Sequence, residues 1–229
     1  MKGDRRRALG AALLMVGIGI APGAAGAQDI ADFDYEHLSF RGIGLEFGYL
    51  WPNNVEPTES YTLRIDLGYA GPGLRITPSV TYWRSQLGGE EITEFETRVL
   101  DLIAEQNGGT RPTLDLGIIN YTDIAIGVDA HVVWELPFDV LTFGGFGVTA
   151  HVIDGDGDVI ASTFVEDLFD SVDPGFNLHV GTEYPVTNRM RLYASGRYEV
   201  LPDMQYAQVR GGLQFMIGPN APGEGRNDR

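Results

Sequence analysis

From Phe40 onward the chain alternates apolar and polar residues with a period of two, and it does so for most of its remaining length. Such alternation suits a strand with one apolar face; an amphipathic helix would repeat every 3.6 residues. Eight segments carry the pattern. The first sets Ile43, Leu45, Phe47, Tyr49 and Trp51 against Gly44, Glu46 and Gly48. The second sets Tyr61, Leu63, Ile65, Leu67 and Tyr69 against Thr62, Arg64 and Asp66. Leu74, Ile76, Val80 and Tyr82 follow in the third, opposed by Arg75, Thr77 and Thr81. In the fourth, Ile124 to Trp134 oppose Asp129, His131 and Glu135. The remaining four centre on Phe146–Val152, Phe176–Tyr184, Met190–Val200 and Val209–Ile217, and Gly144-Gly145 would suit a bulge at the start of the fifth segment. An even number of alternating segments is what a closed up-and-down barrel needs.

Composition says which face meets what. The apolar face carries ten aromatics in two bands: Tyr49, Trp51, Tyr61, Tyr82, Phe176 and Tyr198 near one set of strand ends, and Tyr69, Trp134, Tyr184 and Phe215 near the other. Amphipathic rings prefer the membrane–water boundary, so these read as girdles. Tyr61 and Tyr69, eight residues apart, would bracket roughly 20 Å of membrane normal at about 3.3 Å per residue and a tilt near 40°. The polar face is then the lumen. It holds Arg64, Arg75, Arg191, Arg197 and Arg210 against Glu46, Asp66, Asp129, Glu135, Glu183 and Glu199. An eight-stranded barrel has room inside for side chains and little else, so these charges are expected to pair and plug it.

Connection lengths alternate as well. Ala70–Gly73, Pro137–Asp139 and Val186–Asn188 are tight and fall on one side, whereas Arg84–Asn120 and Asp154–Pro174 are long and fall on the other. Short inner turns and long outer loops are the habit of outer-membrane barrels. The spacing of Ile92, Phe95, Val99, Leu102 and Ile103 predicts a helix over Glu90–Gln106 in the second outer loop, ended by Gly108-Gly109. Its apolar stripe is expected to pack on the loop itself or the rim; a lid or a partner-binding helix is the functional alternative.

The N-terminus reads as an address. Lys2, Arg5, Arg6 and Arg7 precede an apolar run to about Ala21, and Ala25-x-Ala27 predicts cleavage between Ala27 and Gln28. The expected organisation is a leader at 1–27, a periplasmic segment at 28–39, a barrel at 40–218 and a disordered periplasmic tail at 219–229. Losing the leader takes the formal charge from −16 to −19, since four cations and Asp4 go with it. That balance excludes nucleic-acid binding, which wants a basic face. The absence of Cys removes disulfides, thiol nucleophiles and thiolate metal sites.

Over about Phe40 to Gly218 the chain resembles the small eight-stranded outer-membrane barrels, the OmpA-barrel, OmpX and OmpW-like group. The run Val209–Phe215 looks like that group's C-terminal assembly signal, although here the chain continues to Arg229. The resemblance implies an all-β, eight-stranded antiparallel transmembrane barrel in the bacterial outer membrane. Its implied partners are outer-membrane lipid, lipopolysaccharide and the barrel-assembly machinery.

Three groups of residues resemble sites. Asp154, Asp156 and Asp158 alternate as Ca²⁺ ligands do, but an EF-hand loop needs Gly and Glu where this chain has Val159 and Val165. A polar turn is the simpler expectation, and no metal or cofactor is assigned. The two long loops still sum to −11, a surface that attracts divalent cations. His131, His151 and His179 fall on lumen positions, with no Ser one or two residues from any of them. Hydrogen-bonded interior histidines are therefore expected before a hydrolase base. The resulting expectation is a non-enzymatic envelope structural or surface-interaction protein with a plugged lumen and acidic outer loops. A narrow conduit for small, hydrophobic molecules is the second expectation, and a lipid-modifying barrel enzyme the third.

Overall fold

A computed structural model describes residues 38–106, 108–109, 116–157 and 170–217. The leader with its Ala27–Gln28 junction, nearly all of the 28–39 segment, Asp158 and the 219–229 tail lie outside the described residues.

The elements run β1 (Gly42–Pro52), β2 (Thr58–Asp66), β3 (Tyr69–Gly71), β4 (Leu74–Gln86), α1 (Gly89–Gln106), β5 (Asn120–Leu136), β6 (Val140–Asp156), β7 (Ser171–Thr187), β8 (Met190–Val200) and β9 (Gln205–Met216). Each strand pairs antiparallel with its sequence neighbour, and β1 closes the sheet against β9, from Gly42↔Met216 to Pro52↔Tyr206. β2 and β3 are two parts of one stave, both paired with β4, so the barrel has eight staves. Closure removes the free sheet edges that would otherwise invite pairing with another chain.

Burial alternates along nearly every stave, as the sequence pattern demands. Leu45, Phe47, Val128, Val148, Leu178 and Val209 point outward and are exposed; Glu46, Arg64, Asp129, Thr149 and Arg210 point inward and are buried. The tight connections, including Leu67–Gly73 and Pro137–Asp139, gather at one rim. The other rim carries α1, the end of β6, the start of β7 and the connection between β8 and β9.

Two local expectations fail, each for a backbone reason. The second stave does not alternate through to Tyr69. β2 ends at Asp66, whose Oδ1 accepts the Gly68 N–H at 2.8 Å, and Gly68 takes φ +73°. The pairing then slips by one residue, from Arg64↔Ser79 to Tyr69↔Arg75. One extra residue reverses the facing of everything after it, and Tyr69 is buried inside at 4 % exposure. Pro78 in β4 fits this seam. Ile76 accepts from the Leu67 N–H and donates to the Gly68 carbonyl, both between β2 and β3, so Pro78, two residues on, turns its missing donor to the same side, where the ladder is already interrupted. The Gly144-Gly145 pair, by contrast, makes no bulge: β5 and β6 stay in register from Leu136↔Val140 to Asn120↔Asp156. Gly145 and Gly147 instead leave space inside. A Cβ on Gly145 would stand 2.8 Å from His179 Nε2, and one on Gly147 would meet Asp129 Oδ1.

In the second outer loop, Ile92 and Phe95 of α1 pack, as Leu87 does, against Leu116 and Ile119. Glu96 Oε1 accepts the Leu116 N–H at 2.9 Å, tying the helix to its own loop. Gly108 and Gly109 both take positive φ, and the Gly109 N–H reaches the Ala104 carbonyl at 2.8 Å, a helix stop that needs glycine.

Candidate functional site: the lumen and its outer mouth

The lumen is filled in layers. Toward the short-turn rim, Tyr69, Val133, Leu141 and Phe143 form an apolar base. Next to it stands Glu183 of β7, fully buried, which accepts from three arginines. Arg75 forks onto it with Nη1–Oε2 at 2.9 Å and Nη2–Oε1 at 2.6 Å; Arg64 Nη2 and Arg191 Nη1 each reach it at 3.1 Å. The planar guanidinium suits such bidentate contact. Arg64 and Glu183 sit on diametrically opposite staves, so this cluster spans the bore. Arg64 also faces Glu46 at 3.6 Å, and Arg210 Nη1 lies 3.0 Å from Glu46 Oε2. Asp66 stands 3.9 Å from Arg75 and accepts from Gln214 Nε2 at 2.7 Å.

A second cluster crosses the bore closer to the long-loop rim. Arg197 donates through Nε to Glu199 at 2.6 Å and through Nη1 to Asp129 at 3.0 Å. Glu199 also accepts from Thr149 Oγ1. His151 donates through Nδ1 to Asp123 at 2.7 Å, and its Nε2 lies 3.0 Å from Thr149 Oγ1. Above this cluster Leu50, Trp83, Ile153 and Tyr206 pack into a lid, with Trp83 fully buried and stacked on Tyr121 at 5.5 Å.

Ten of the eleven charges read from the sequence come together in these clusters. Glu135 does not: it is exposed at the end of β5, where the barrel opens, and pairs with none of the ten among the described residues. Its place as the sixth buried carboxylate is taken by Asp123, which the sequence reading missed. The signal was present, since Asp123 shares odd-numbered parity with Asp129. The inward apolar residues Leu50, Trp83 and Phe143 were overlooked in the same way, at positions where alternation alone would have placed them.

Nine of the ten proposed girdle residues face outward or are half-buried at the strand ends, and Tyr69 is the exception. It packs in the base with the Arg41 guanidinium 5.2 Å from its ring centre. Asp154 and Asp156 lie on β6, not in a turn. They are exposed, and Asp156 stands 3.9 Å from Arg84.

Two constellations resemble chemistry. Asp123, His151 and Thr149 line up as an orienting acid, an imidazole and a hydroxyl. But Thr149 is committed to Glu199, and Asp123, His151 and Glu199 are fully buried beneath the lid. A nucleophile needs room for its substrate, and among the described residues Leu50, Trp83, Ile153 and Tyr206 pack over this trio. Asp129, His131 and His179 bring donor atoms within 4.8 Å of one another. Arg75 Nη2 lies 3.2 Å from His131 Nδ1, which must therefore accept, leaving the proton on Nε2. That tautomer offers no second lone pair to a cation, and Arg197 already occupies Asp129. The adjoining void, between Arg64, Arg210, Thr77 and Asp129, is about 10 Å³, close to the space one water takes.

No family model matches the sequence, and no curated protein matches it either. Solved structures do. Neisserial surface protein A superposes with a TM-score of 0.51 at 15 % identity, covering 80 % of this chain and 100 % of that one. A major outer membrane protein from Thermus thermophilus follows at 0.48 and 13 % (77 % and 99 % covered), and Ail from Yersinia pestis at 0.47 and 9 % (79 % and 99 %). The fold is that of the small outer-membrane barrels. In a barrel of this type the outward face meets lipid, and inward residues face the bore. The exposed belt of Leu45, Ile126, Val148 and Leu178 is the outward face of that fold, and the arginine clusters fill its bore.

Proposed function

We propose that the protein resides in the bacterial outer membrane as a closed, non-enzymatic barrel, serving as an envelope structural or surface-interaction protein. The observation that carries this reading is the double closure of the bore: Glu183 of β7 reaches across to β2 and β4 through Arg64 and Arg75, and Arg197 bridges β5 and β8 through Asp129. A barrel closed at two levels presents its outer loops to the surroundings and transmits nothing through its centre. Its terminal strand β9, with alternating residues up to Phe215, supports insertion by the barrel-assembly machinery. The acidic outer loops suit divalent cations that bridge lipopolysaccharide phosphates.

Fractionation tests the location. The protein is expected with outer membranes, resistant to carbonate extraction, with a gel mobility that shifts on heating in detergent. Recovery as a detergent-free soluble protein would overturn the reading. Planar-bilayer recording tests the closure, and stable open channels in the unmodified protein would replace it with transport of small molecules.

A further inference from the structure

The outer mouth holds a cavity of about 510 Å³ above the lid, within the range of small-molecule sites. Its floor is apolar and closed: Val55, Ile153, Leu201 and Met204 line it, and all four belong to the cluster packed around Trp83. Phe95 of α1 and Tyr121 of β5 supply aromatic walls from different elements. The rim has one sign. Glu91 and Glu94 come from α1, Asp173 from β7 and Asp203 from the β8–β9 connection, against Arg98, the one cation among the described residues that line it.

We propose that this mouth binds a small amphipathic cation: an ammonium or guanidinium group carried on an apolar or aromatic body. The two halves of the ligand follow from the two halves of the cavity. An apolar body gains by covering the half-buried Leu87, Phe95 and Tyr121 that stand around this floor. A positive head then meets a net charge of three carboxylates in a concave, partly low-dielectric setting, where a field of one sign is focused. Phe95 already shows the preference of such a ring for a cation, since the Arg98 guanidinium lies over it at 5.8 Å, the place a ligand's positive head would contest. An anion of the same shape would gain the apolar contact and lose all of this. Selection by sign is therefore the signature of the site, and size alone would not produce it. Because the floor is sealed by Trp83 and Tyr206, the ligand would stop there, and the proposal stands whether or not the lumen conducts.

The test uses the full barrel in lipid nanodiscs, titrated calorimetrically with 2-phenylethylammonium, 3-phenylpropionate and ethylammonium. Saturable binding of the first is expected, with the other two at least tenfold weaker. Glu91→Gln/Glu94→Gln/Asp203→Asn should weaken phenylethylammonium at least fivefold. Arg98→Gln, which removes the competing cation, should tighten it. All four positions sit above the membrane, and an unchanged heat-shifted gel mobility verifies that each variant keeps its barrel. Equal binding of 3-phenylpropionate would reduce the site to an unselective apolar hollow and overturn the proposal. No saturable binding of phenylethylammonium, or an unchanged affinity after neutralising the rim, would overturn it as well. So would binding of a lysine-rich peptide alone, which would assign the mouth to a protein partner.

Discussion

Glu183 carries more of the lumen than any other side chain, because three arginines converge on its two oxygens. Replacing it with Gln keeps the shape and removes the charge that all three oppose. Stranding buried charge in this way costs on the order of 3–5 kcal/mol. Glu183→Gln should therefore lower stability by about that amount in urea unfolding in micelles. Glu135→Gln, at the exposed end of β5, should stay within about 0.5 kcal/mol of wild type. Parity in the sequence identified the five arginines and most of their partners. It could not rank them, since Glu46, Glu183 and Glu199 look alike one at a time. Which carboxylate becomes the hub depends on stagger around the barrel, and that is a property of eight staves together. Asp123 was missed because the fourth alternating segment was started one residue late, at Ile124.

Among the elements, the strands were legible because one buried and one lipid-facing side impose a strict period of two. The break at Leu67–Gly68 was not: its residues continue the alternation, and only the ladder shows the extra residue. Gly145 of β6 had the opposite fate: the sequence suits it, with Gly144, to a bulge, whereas it leaves room beside His179, as Gly147 does beside Asp129. Gly147→Ala tests this. Its Cβ would meet Asp129 Oδ1 and lie 2.5 Å from Asn177 Nδ2, and overpacking of that kind costs about 1–3 kcal/mol. Gly196→Ala on β8 has nothing within 4 Å and should be neutral or mildly stabilising. Midpoints of the heat-induced gel shift would show the order, and equal midpoints would mean the bore is looser than it looks. The outer face has its own test: Val128 of β5 points outward and is exposed, and in the proposed membrane location Val128→Arg should cost about 2–4 kcal/mol near the bilayer midplane.

For the whole molecule, the decisive quantity is whether ions pass, and the layered closure makes a prediction that a single plug would not. The Glu183 cluster and the Arg197 cluster cross the bore at different heights, and the Trp83 lid lies above both. Obstructions in series each suffice to block, so removing one leaves the bore shut. The wild-type barrel should show no stable nanosiemens-scale channel in planar bilayers. Asp129→Ala releases one contact of Arg197 but leaves Glu183 and the lid in place. It should destabilise the barrel and still leave conductance at baseline. Opening should require all levels together, as in Trp83→Ala/Glu183→Ala/Glu199→Ala, provided that this variant still shows the heat-modifiable mobility of a folded barrel. If Asp129→Ala alone conducts, the clusters are one connected plug that fails as a unit. If the folded triple variant remains silent, the remaining arginines and the apolar base around Phe143 close the bore by packing, and the ion pairs serve stability alone.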